Sequence, residues 1–106
     1  MPKYLFEARY TAEGAKGLIS EGGSSRRAAV EKAMAGAGGR VEAFYFAFGD
    51  VDAYVIADLP DNVAASAVAL AVAQSGRASV KTVALLAPAD IDQAAKKVVA
   101  YRPPGG

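Results

Sequence analysis

The chain has 106 residues, enough for one domain around a single core and too few for two. Its 12 basic and 11 acidic side chains leave a formal charge of +1, so no strong field directs it to nucleic acid or to a membrane surface. Cysteine and histidine are both absent, which excludes disulfides, thiol chemistry, imidazole metal sites and any Ser-His-Asp triad, including one built on Ser24 or Ser25.

Lys3 to Tyr10 alternates Tyr4, Phe6, Ala8 and Tyr10 against Lys3, Leu5, Glu7 and Arg9, which predicts a first strand with its even residues towards the core. No apolar run of signal-peptide length opens the chain, and the expected compartment is the cytoplasm. Thr11 caps a short helical turn towards Ile19, weakened by Gly14 and Gly17 and interrupted at Glu21-Gly22-Gly23. Ser24 or Ser25 then caps a helix to about Gly36, with Val30, Ala33, Met34 and Ala37 at core spacing and Arg26, Arg27, Glu31 and Lys32 outside.

Val41 to Asp58 is the densest signal in the chain. Two runs rich in Val, Ile, Phe and Tyr flank Gly49-Asp50, where glycine suits the first central position of a type II′ turn. A two-residue loop there sets Phe48 opposite Val51 and fixes the register of everything before it. Phe44, Phe46, Phe48, Val51, Ala53 and Val55 then share a core face. Val41, Ala43, Tyr45, Ala47, Asp52, Tyr54, Ile56 and Asp58 share a mixed one.

Asp61 caps the next helix, whose stretch from Val63 to Ala73 is apolar almost all round. Either it is covered on more than one side or its alanines are simply exposed; at 11 residues it is too short to span a bilayer. Ser79 to Ala87 reads as a fourth strand, with Lys81, Val83 and Leu85 on one side. A last helix follows from Pro88, with Asp90 and Asp92 near its start, Lys96 and Lys97 near its end, and Ile91, Ala94, Ala95 and Val98 as its apolar face. Residues 101–106, with Pro103-Pro104, form an extended tail.

The order β-α-β-β-α-β predicts an α+β, ferredoxin-like domain over 1–106, with a four-stranded antiparallel sheet and helices on one face. The other face would carry Leu5, Tyr45, Tyr54, Ile56, Val83 and Leu85, too apolar a set to stay wet on a small monomer. A second copy packed sheet to sheet, giving a dimeric α+β barrel, covers it.

Tyr10-Thr11 with Gly14, Arg26 or Arg27, Gly39, the run Phe44 to Asp52, Leu59-Pro60-Asp61 and Lys81-Thr82 together resemble the GYD family of small bacterial and archaeal proteins. Pro88 to Gly105 resembles the C-terminal segment of one branch of it. The resemblance implies a ferredoxin-like, dimeric barrel; it brings no established function and no catalytic residues. Val51 stands where the family's name motif has tyrosine, which argues against a universal catalytic role for that position.

Glu7, Arg9, Tyr45, Asp52, Tyr54 and Lys81 are the candidate ligand-binding residues, since the predicted pairing gathers them on the mixed face. Asp50 and Asp52 at i and i+2 need not converge, and a turn aspartate commonly bonds its own backbone. No metal site and no cofactor is expected, nor a nucleic-acid or membrane partner. Tyr45 and Tyr54 are either dimer packing or the walls of a small-molecule pocket. Two functions stay open. One is a homo-oligomeric domain that binds a small apolar or aromatic molecule between its sheets. The other is a cofactor-independent monooxygenase- or isomerase-like enzyme using Asp, Glu, Arg or Tyr, by analogy of fold alone.

Overall fold

The computed structural model describes residues 1–106. In chain order its elements are β1 (Lys3–Tyr10), α1 (Ala12–Glu21), α2 (Gly23–Gly36), β2 (Arg40–Phe46), β3 (Ala53–Asp58), α3 (Asn62–Gln74), β4 (Ala78–Leu85) and α4 (Pro88–Ala95). The four strands form one open sheet in the order β2-β3-β1-β4, with every neighbouring pair antiparallel. The chain is thus a mixed α+β protein.

Local chemistry sets most element ends. The Thr11 hydroxyl accepts the Gly14 N–H at 3.2 Å, and the Asp61 carboxylate accepts the Ala64 N–H at 2.9 Å, each meeting one unpaired donor of a helix start. Asp90 does the same for the Ala87 N–H at 2.9 Å at the head of α4. The start of α2 departs from expectation. Gly22 alone separates it from α1 and caps it without a side chain, so Ser24 and Ser25 already lie within its first turn.

The hairpin keeps the predicted register and loses the predicted turn. Phe44 pairs with Val55, Tyr45 with Tyr54 and Phe46 with Ala53. Beyond Phe46 the strands part into a loop over 47–52, closed by the Ala47 N–H on the Asp52 carbonyl at 2.8 Å. The cause lies on β1: the Asp52 N–H donates to the Ala8 carbonyl at 2.9 Å, its carboxylate accepts the Tyr10 N–H at 2.8 Å, and Val51 is buried. That pull opens the turn, leaves Gly49 at φ +126°, and swings Phe48 out to full exposure. Phe48 is therefore not a core residue. A second correction sits lower in β2, where a bulge between Val41 and Ala43 inserts Glu42. It moves Val41 onto the face it was expected to avoid, against the core.

The core is one-sided. Tyr4, Phe6, Phe44, Ala53, Val55 and Ala57 from the sheet meet Met34 of α2 and Ala65 of α3, with Leu59 fully buried beyond β3. α1 packs on α2, and α3 on β4. Only 12 of the 106 residues are buried, so this core is small for the chain. Of α3, Ala65 is buried while Val63 and Leu70 stay exposed, so one side alone is covered. α4 buries nothing, and Ile91, Val98, Val99 and Tyr101 stand in solvent. The radius of gyration is 16.9 Å, against roughly 13 Å for a compact domain of this length.

Candidate functional site: the open face of the sheet

Strand alternation turns the odd residues of β1 and their partners away from the helices. The pairing arranges them in cross-strand rows. The first runs Lys81, Glu7, Tyr54, Tyr45. The second runs Val83, Leu5, Ile56, Ala43, and the third Leu85, Lys3, Asp58, Arg40. Arg9 lies beside the first row, opposite Ser79.

Five of the six candidates thus fall together: Glu7, Arg9, Tyr45, Tyr54 and Lys81. Tyr45 is 72 % exposed and Tyr54 41 %, so two phenols stand side by side in water. Glu7 and Lys81 face each other in register without forming an ion pair. Asp52 does not join them. Its carboxylate replaces the next acceptor of the β1–β3 ladder at the Tyr10 N–H, a positioning task. Asp50 is exposed in the loop, and no group of three or more acidic side chains gathers closely enough to hold a metal ion.

The third row carries a feature the sequence reading did not single out. Asp58 is only 6 % exposed, on a face that is otherwise open. Its Oδ1 accepts from Lys3 Nζ at 2.9 Å and its Oδ2 from Arg40 Nε at 3.1 Å, while Lys3 also reaches Glu42 at 3.0 Å. The Lys3 and then the Arg40 hydrogen bond hold the Asp58 carboxyl below the usual range. The same bonds, Asp58 first and Glu42 next, hold the Lys3 ammonium above its own. Lys3 and Asp58 at opposite ends of two strand patterns were the available signal. The Glu42 bulge that brings Arg40 into line was not readable.

Chemically, the face offers an apolar central row, a cross-strand pair of phenols, and charges at its rims. It presents no nucleophile paired with a base. No helix of the chain is long and apolar enough to cross a membrane. What the geometry defines is a small α+β domain with a one-sided core and a tyrosine-bearing open sheet face. Within that class the chain belongs to the GYD domain family, whose model matches residues 4–95, from β1 through α4. Val51, at the tyrosine position of the family's name motif, is buried beside the core and not on the open face. No curated protein and no solved structure matches the chain.

Proposed function

We propose that this chain is a ferredoxin-like domain working as a homodimer, its two open faces packed together, with a small apolar or aromatic molecule held where Tyr45 and Tyr54 of both copies meet. The strand order supports the ferredoxin-like reading, since β1 lies between β3 and β4 as in a split β-α-β unit. One observation carries the dimer. The chain exposes 7391 Å², roughly 1,800 Å² more than a folded monomer of its mass usually does. An obligate homodimer interface hides about 1,000–2,500 Å² on each partner, so the surplus is the size of one such half-interface. Tyr45 and Tyr54 of the open face are among the side chains that contribute to it, as are the exposed apolar side chains of α4 and the tail.

The enzyme alternative has less behind it. Asp52, its central carboxylate, is committed to the Tyr10 backbone, and Glu7 stands on an open surface.

Light scattering after gel filtration tests the proposal. The wild-type chain should elute at twice its 10.8 kDa mass, and Tyr45→Glu, which buries two like charges about the two-fold axis, should elute as a monomer. A wild-type monomer at tens of micromolar overturns it.

A further inference from the structure

The helix layer does not close over the sheet. α2 and α3 share no interface comparable with those of α1 on α2 or α3 on β4. Between them lies a cavity of about 690 Å³, floored by Phe6, Phe44 and Val55 and walled by Val30, Met34 and Val68. Its volume lies within the usual 300–1,000 Å³ range of small-molecule sites. The cavity opens to solvent past Ala33, Ala67 and Ala71, which are exposed, so its apolar walls are wetted instead of packed against one another.

The lining is polarised. Seventeen of its 24 residues are hydrophobic, and its only charged members are Glu21, Arg26 and Arg77. These belong to the end of α1, the first turn of α2 and the start of β4, the end of the sheet where β1 finishes. Arg26 pairs with Glu21 at 3.4 Å, while Arg77 makes no ion pair. The Tyr10 phenol lies among them: burial pushes its pKa up, the Arg26 charge pulls it down, and Asp52 and Glu21 oppose that pull. The charged lining is net positive and gathered at one end of an apolar chamber.

We propose that this cavity binds an amphipathic monocarboxylate, with its apolar body between α2 and α3 and its carboxylate at Arg26 and the Tyr10 hydroxyl. An apolar body gains dispersion and desolvation between the two helices, and a carboxylate is the head group that suits a charged lining of two arginines and one glutamate, with one positive charge in excess. The site lies on the far side of the sheet from the tyrosine face, so it does not depend on dimerisation.

Calorimetry on the full chain with decanoate, 1-decanol and decylamine as matched probes tests it. Decanoate should bind once per chain, and tighter than either analogue by about tenfold or more, the ratio one charge-assisted hydrogen bond contributes. Arg26→Gln should weaken decanoate about tenfold and leave 1-decanol within about twofold. Val68→Trp, which fills the cavity from α3, should abolish binding of all three; Ala33→Phe fills it from α2 should the first variant fail to fold. Val83→Glu, on the open face opposite Leu5, should leave decanoate binding unchanged even if it alters the oligomeric state. The proposal is overturned by the absence of saturable binding, by equal affinity for decylamine, or by binding that survives both cavity-filling substitutions.

Discussion

The Asp52 carboxylate accepts the backbone N–H of Tyr10 at 2.8 Å, and this contact ties the hairpin loop to the end of the central strand. It takes the place of a ladder carbonyl at the point where β3 has not yet begun. Removing the acceptor strands a half-buried N–H, at a cost of about 1–3 kcal/mol. Asp52→Ala should therefore lower the stability measured by urea unfolding by about that amount, and Asp52→Asn, which keeps an oxygen, by less. Loss of ligand binding by Asp52→Ala at unchanged stability would instead make Asp52 a site residue.

Two of the three hairpin phenylalanines, all of the same sequence parity, should behave oppositely. Phe44 is buried and stacks edge-on against Phe46 at 5.0 Å, whereas Phe48 is fully exposed. Phe44→Ala should cost about 3–5 kcal/mol, while Phe48→Ser should stay within about 0.5 kcal/mol. Equal losses would mean that the loop closes as a tight two-residue turn.

This contrast marks what the sequence could and could not disclose. Alternation in β1, the Phe44–Val55 register and the Thr11 and Asp61 caps are local or period-two signals, and they read correctly. The five residues gathered on the open face follow from the same period. Phe48 departs from its parity because its position depends on where Asp52 finds a partner on β1, a contact 42 residues away in sequence. Val41 departs from its parity because one inserted residue, Glu42, reverses the alternation on one side of the bulge. The cavity left no trace in the sequence, since Val30, Met34 and Val68 have the same core spacing whether the helices touch or diverge.

Two glycines of α1 look alike in the sequence and differ in their surroundings. A Cβ on Gly14 would meet the Arg77 carbonyl, whose oxygen lies 1.8 Å from the position the carbon would take, and both partners there are backbone. Around Gly17 there is open space within 4 Å. Gly14→Ala should thus destabilise the chain by about 2 kcal/mol or more, because α1 must lift away from the start of β4. Gly17→Ala should raise stability by up to about 1 kcal/mol through helix preference alone. Thermal melts of the two variants decide the matter. A Gly14→Ala protein as stable as wild type would remove the close approach of α1 to Arg77.

Asp58 sets the acid limb of the stability curve. Its folded-state pKa lies below the ordinary value of 3.8, held there by Lys3 first and Arg40 second. The unfolded chain then binds more protons than the folded one, so stability rises with pH through that window. The contribution is complete above about pH 5 and is lost as pH falls through 3.8 towards the depressed folded value. Lys3 works with the opposite sign: its pKa lies above 10.5, so its share is present below that pH and disappears above it. Lys3 and Arg40 are both substantially solvated, so screening limits what each pair is worth. Asp58→Asn should lower the melting temperature at neutral pH, and its curve should approach the wild-type curve as pH drops from about 5 to about 2. Strong salt should narrow the same gap. Parallel curves across the acid range would show that Asp58 is not the group whose protonation weakens the fold.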